Sequence, residues 1–122
     1  KSIKLIFDIP INFDLFVDPD QIEQVLINIV KNAMEVDFGG TSPEITVKAI
    51  IKNGLKTIEI SDNGPGISKE EQEKIFIPFY TTKKTGSGIG LSLSRQILSL
   101  NDAKINFAEN LPHGSVFLLQ FG

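Results

Sequence analysis

Hydrophobic and polar residues alternate at the start of the chain, where Ile3, Leu5 and Phe7 are interleaved with Ser2, Lys4, Ile6 and Asp8. A period of two is that of a strand with one face turned inward, and Pro10 ends it. Leu15 to Val17 reads as a second short extended piece. The period then changes. Ile22, Val25, Leu26, Ile29, Ala33 and Val36 fall on one side of a helix turning about 100° per residue. Asp18 suits the N-cap, because its carboxylate can accept from unpaired N–H groups, and Pro19 suits the first helical position. This helix is expected to run to about Val36, before Gly39-Gly40. Ile45 to Ile51 and Thr57 to Ile60 predict two strands, and Asn53-Gly54 between them is the pair that a tight hairpin turn favours. Ser68 predicts the cap of a short helix through about Phe76, with Glu71 completing a capping box. Residues 77–87 read as a loop and Ile89 to Leu100 as a further helix. Lys104 to Ala108 and Ser115 to Phe121 read as the last two strands. Hairpins outnumber strand–helix–strand crossovers in this order. An α+β fold follows: a two-layer sandwich with a mostly antiparallel mixed sheet and about three helices on one face.

Composition narrows the chemistry. A length of 122 residues suits one domain, residues 1–122, with a modest core. No cysteine is present, which excludes disulfides, thiol catalysis and thiolate metal sites. The net charge of -3, without a stripe of Lys and Arg, argues against nucleic acid as a partner. An anionic ligand must therefore be gripped by a local group of donors. Apolar runs are too short to span a bilayer, and no direct membrane contact is expected. The chain opens at Lys1 without Met, so an excised fragment is expected. The single histidine, His113, reads as a surface turn residue beside Gly114.

Three local patterns can carry chemistry, and each has a plainer reading. Asn28 and Asn32 are four apart on the long helix, at the border of its apolar stripe, with Glu35 close below. An amide oxygen can ligate Mg²⁺ and an amide NH₂ can donate to phosphate; both residues can equally be solvated or hold a nearby loop. Asp62-Asn63-Gly64-Pro65-Gly66 follows a strand, so Asp62 sits at the strand's end, able to accept from an exocyclic amine. The same residues can make a simple turn. Gly86, Gly88 and Gly90 alternate just before a helix, whose N-terminus offers free N–H groups to a phosphate. The spacing is neither that of a P-loop nor that of a dinucleotide fold, and a flexible connection is the plainer reading. Lys83, Lys84 and Arg95 are the nearest cations, and Arg95 can equally be a surface residue.

Taken together and in order, these motifs resemble the ATPase domain shared by histidine kinases, gyrase B and other type II topoisomerases, heat-shock chaperones and mismatch-repair proteins, the Bergerat-type ATP-binding fold. The resemblance runs from about Asp18 to Phe121. Gln24 to Glu35 is similar to the N box and Ile60 to Ile67 to the G1 box. Ile75 to Lys83 is similar to the F box entering the ATP lid, and Gly86 to Leu91 to the G2 box. His113-Gly114-Ser115-Val116-Phe117 resembles the last hairpin of the kinases, with Ser115 where Thr is usual. The resemblance implies that Asp62 binds the adenine amine, Asn32 holds Mg²⁺ and Asn28 lies beside the phosphates. Gly64 and Gly66 would shape the adenine pocket, and Gly86, Gly88 and Gly90 would wrap the triphosphate with Lys83. Phe76 and Phe79 would anchor the start of the lid. The implied ATP-contacting set also takes in Lys31, Glu35, Ile67, Phe79, Thr81, Thr82, Ser87, Ile89 and Leu91.

In the topoisomerase and mismatch-repair branches the residue matching Asn28 is a glutamate that activates water. An amide cannot act as a general base, so Asn28 favours the histidine kinase branch. Ile77 to Lys83 resembles the short-lid kinases related to nitrogen-regulation sensors. The implied partners are the parent's own dimerisation and phospho-acceptor helical domain and, through it, a response regulator receiver domain. The implied compartment is the cytoplasm, and a monomer is expected for the isolated chain. A slow ATPase using Glu35 as base, and a degenerate nucleotide-binding docking module, are the alternatives.

Overall fold

The computed structural model describes residues 2–78, 80 and 90–122. The elements in chain order are strand β1 (Lys4–Asp8), helix α1 (Pro19–Met34), strands β2 (Glu44–Lys52) and β3 (Leu55–Asp62), helices α2 (Lys69–Gln72) and α3 (Gly90–Leu100), and strands β4 (Ala103–Glu109) and β5 (Ser115–Phe121). The strands form one five-stranded sheet in the order β1-β2-β3-β5-β4. Only the edge pair β1–β2 is parallel, and the other pairs are antiparallel.

Alternation along the strands sets the register. Ile45, Val47 and Ala49 of β2 lie opposite Asp62, Ile60 and Ile58 of β3. Ile60 and Ile58 lie opposite Phe117 and Leu119 of β5. All eight are buried. A slip of one residue would turn this whole row out to solvent, so burial pins the pairing. Asp62 ends the row, which puts a carboxylate on the apolar face of the sheet. The β2–β3 turn is the expected one: Asn53 and Gly54 take positive φ, 53° and 78°, as a two-residue hairpin matched to strand twist requires.

Helix α1 covers that face. The Asp18 carboxylate accepts from the N–H groups of Asp20 and Gln21, both at 3.1 Å. Ile22, Val25, Ile29 and Ala33 are buried and join Leu98 of α3 and the strand row in one core. Asn101, just past α3, ties the two helices together. Its oxygen accepts from the Asp18 N–H at 2.8 Å and its NH₂ donates to the Gln21 side chain at 2.9 Å. The start of α1 is thereby fixed to the end of α3.

Three boundaries differ from the sequence expectation. Leu15 to Val17 forms no strand. Leu15 and Val17 are half-buried against the core while Phe16 is fully exposed, and β1 already occupies the edge of β2 where such a strand would pair. Helix α1 stops at Met34, with Glu35 as its C-cap. Helix α2 is a single turn. Beyond it, Lys74 N–H bonds the Glu71 carbonyl and Ile77 N–H the Lys74 carbonyl, three residues back each time. Between them Ile75 N–H bonds the Glu71 carbonyl four residues back, so the winding is mixed; Ile75 lies in the core and Phe76 is edge-on to Phe117, at 6.5 Å. The Ser68 hydroxyl does cap α2, accepting from Glu71 N–H at 3.2 Å, but its own proton goes to the Glu71 carboxylate at 3.1 Å. Among the described residues, no helix is long and apolar enough to cross a membrane.

Candidate functional site

The site is built around the end of β3. Asp62 is 5% exposed. Its Oδ1 accepts from the Gly64 N–H at 2.8 Å, and the Ser115 N–H also bonds the carboxylate. Burial pushes the Asp62 carboxyl above the ordinary range, and these two N–H groups pull it partly back. Among the described residues, the donors to this buried acid are backbone N–H groups.

The loop after Asp62 is shaped by close approach. A Cβ on Gly64 would lie 2.9 Å from the Val36 side chain and 3.0 Å from Asp62 Oδ1. Gly66 has φ +79°, and a Cβ there would lie 3.1 Å from the Gly114 carbonyl oxygen. Glycine is required at Gly66 because the left-handed conformation penalises any side chain. Asn63 points away from this pocket. Its oxygen accepts from Glu44 N–H at 2.8 Å and its NH₂ donates to the Ser42 carbonyl at 2.9 Å, fastening the loop to the start of β2.

Asn28 and Asn32 lie half-buried on α1, while Lys31 and Glu35 are exposed. The Asn28 oxygen accepts from Gln24 at 2.9 Å, which orients its amide. Val36 and Phe38, just past α1, flank Gly64, so the end of the N-box helix abuts the Asp62 loop. Helices rise equally per residue. Counting back along α3 from Asn101 to Gly90 therefore matches counting forward along α1 from Gln21 to Asn32. Gly90 at the start of α3 and Asn32 of α1 are thus equally far in sequence from the pair that joins the two helices, and a helix N-terminus carries a partial positive charge. Among the described residues, nothing lies within 4 Å of where a Cβ on Gly90 would stand; Leu91 and Ile67 are half-buried against the core. The described contacts bring Asp62, Gly64 and Gly66 together with Val36 and Phe38 just past α1, the helix that carries Asn28 and Asn32. Phe79, Thr81, Thr82, Lys83, Lys84, Gly86, Ser87, Gly88 and Ile89 lie outside the described residues. Arg95 sits over the Phe76 ring, 5.6 Å from its centroid, where it covers an aromatic edge.

Asn110 is the site residue that sequence reasoning missed. Its NH₂ donates to the Asp62 carbonyl at 2.8 Å. His113, read as a plain turn residue, has Nδ1 at 3.1 Å from the Gly64 carbonyl. Neither contact has a local signal, because the partners are 48 and 49 residues away in the chain.

The raised Asp62 carboxyl has a pH consequence. The folded chain holds this proton more tightly than the unfolded chain does, whose value is near 3.8. Its contribution to stability therefore falls as pH rises from that value through the raised one, the reverse of a salt-bridged carboxylate. Unfolding curves from about pH 4 to 7 on the native chain and Asp62→Asn check this. A pH dependence that persists in the variant would remove Asp62 as the cause.

This arrangement is that of a known class. The chain belongs to the histidine kinase-, DNA gyrase B- and HSP90-like ATPase family, whose match covers residues 17–122, and it is a catalytic domain of the histidine kinase type. It is 36% identical over 116 residues to Sporulation kinase E of Bacillus subtilis, covering 95% of this chain and 15% of that protein. It is 37% identical over 117 residues to the sensory histidine kinase/phosphatase NtrB of Klebsiella oxytoca, covering 87% of this chain and 33% of that protein. The nucleotide-free catalytic domain of histidine kinase ThkA superposes with a TM-score of 0.84 at 35% identity, over 98% of this chain and 78% of that one. The chain thus spans a third or less of the curated relatives named here.

Proposed function

We propose that residues 1–122 form one domain that binds Mg·ATP and presents its γ-phosphoryl group to a histidine on a separate helical domain of the parent protein. The observation that carries this reading is the buried Asp62, held by the N–H groups of Gly64 and Ser115 at the mouth of a loop that only glycine can shape. An adenine amine supplies the donor that this carboxylate is set to receive. Asn28 and Asn32 then face the phosphates from α1, and the N-terminus of α3 offers them free N–H groups. In the transfer, the acceptor nitrogen forms a bond to the γ-phosphorus as the bond to the bridging oxygen breaks, and ADP leaves. The chain's own part is positioning and charge stabilisation. Asn28 offers no base for water, which favours transfer over hydrolysis.

A magnesium ion fits the donor set. It takes oxygen ligands, largely from phosphates and water with one or two from protein, and the half-buried Asn32 carries one neutral amide oxygen. Bound there, the ion would neutralise phosphate charge. Asn32→Ala is expected to cost ~10–100-fold in affinity for an ATP analogue when Mg²⁺ is present, since losing a ligand matters no less than losing its support. The loss without metal should be much smaller. Calorimetric titration with and without Mg²⁺ decides it, and equal losses in both arms would count against the metal role.

His113 does not serve as the acceptor in this reading. Its ring lies on the Asp62 loop, at the base-binding side. Labelled ATP is accordingly expected to leave no phosphate on this chain by itself; clear incorporation would defeat the transfer scheme. The parent's helical domain and, through it, a receiver domain are the partners this reading implies, in the cytoplasm, with the isolated chain monomeric.

A further inference from the structure

The β3–β5 ladder ends at the pair Ser61 and Val116. One residue further, the Asp62 carbonyl has passed the last of those pairs, and a side chain takes over: Asn110 donates to it at 2.8 Å. Two residues further still, the Gly64 carbonyl meets His113 Nδ1 at 3.1 Å. Both side chains come from the turn between β4 and β5, which is closed by Asn110 N–H on the Gly114 carbonyl at 3.2 Å. Gly114 itself lies flat against the Asp62 peptide. His113 is exposed and lies outside the core cluster. On its opposite edge the loop is fixed by Asn63 to β2.

We infer that the β4–β5 turn is a clasp on the Asp62–Gly66 loop, with Asn110 and His113 as positioning residues that aim the Asp62 carboxylate at the nucleotide base. The inference rests on the adenine role proposed for Asp62. Each of the two side chains bonds a backbone carbonyl of the loop, so together they fix the path of the peptides that carry the carboxylate. Freed of them, the loop can rotate at Gly64 and Gly66, and the carboxylate loses its aim. Recognition suffers more than folding, because the bonds lie at the rim of the site. Adenine presents an amine at the edge where guanine presents a carbonyl oxygen. A well-aimed carboxylate therefore attracts the first and repels the second, and misalignment blurs the difference.

The test is titration of ADP and GDP into the native chain and the variants His113→Ala, His113→Asn, Asn110→Ala and Asp62→Ala, with a melting curve for each. Loss of one such hydrogen bond is expected to weaken ADP binding by roughly three- to tenfold and to narrow its preference over GDP by a similar factor. His113→Asn should recover most of the loss, because its terminal amide stands where Nδ1 stood. Equal weakening of ADP and GDP that follows the melting temperature would show a structural role only and overturn the inference. So would ADP affinity unchanged in His113→Ala and Asn110→Ala while Asp62→Ala abolishes binding, which leaves the site intact and removes the clasp. No ADP binding by the native chain, or unaltered binding by Asp62→Ala, would instead overturn the adenine role and the clasp with it.

Discussion

Replacing Asp62 with Ala is expected to weaken ADP and ATP binding alike, by roughly ten- to a hundredfold, the range of a charge-assisted hydrogen bond worth ~1.5–3 kcal/mol. The two nucleotides should suffer equally because the base is common to both. The folded state gains and loses at once. The buried carboxylate's desolvation is relieved, but the N–H groups of Gly64 and Ser115 lose their acceptor. A large shift in melting temperature is therefore not expected, which separates recognition from stability. Calorimetry with ADP and ATP, beside a thermal melt, provides the measurement. Unchanged affinity would contradict the adenine role outright.

Gly114→Ala is expected to damage the fold and the site together. Gly114 has φ +124°, and an added Cβ would lie 2.9 Å from the Asp62 carbonyl carbon and closer still to its oxygen. Strain of this backbone conformation costs about 1–3 kcal/mol for a residue other than glycine, and forcing extra volume into close packing costs about as much again. The sum is a large part of the ~5–15 kcal/mol that holds a domain folded. Relief requires the β4–β5 turn to move off β3, which breaks the bonds of Ser115 and Asn110 to Asp62. Urea denaturation should show a strongly lowered midpoint, and any folded fraction should bind ADP poorly. Gly40→Ala is the control, because nothing lies within 4 Å of a Cβ there. Equal stability of the two variants would show that the contact at Gly114 is not a constraint.

Much of this fold follows from local pattern. The Asp18 cap, the apolar stripe of α1, the Asn53-Gly54 turn and the alternation of β2 and β5 each act over a few residues, and each appears in the structure where the pattern put it. Failures came where a distant partner decided the outcome. Leu15 to Val17 has strand-like residues, but β1 fills the edge of β2, and Leu15 and Val17 pack against the core outside the sheet. The segment after α2 has helical composition, but its winding is mixed where Ile75 and Phe76 pack at the core.

The candidate site divides in the same way. Asn28, Asn32, Asp62 and the glycines of both loops could be named as candidates because they form short motifs with fixed spacing; Gly86 and Gly88 lie outside the described residues. What the sequence by itself determined was the family, the element order and the identity of the polar groups available to a nucleotide. Only the tertiary structure decided that Asp62 is buried, that Ser115 holds it by a backbone N–H, and that Asn110 and His113 bond the loop behind it. The physical reason is that burial and backbone hydrogen bonding at the end of β3 depend on which strand lies beside it. That neighbour is β5, more than fifty residues later in the chain, and no local periodicity encodes it.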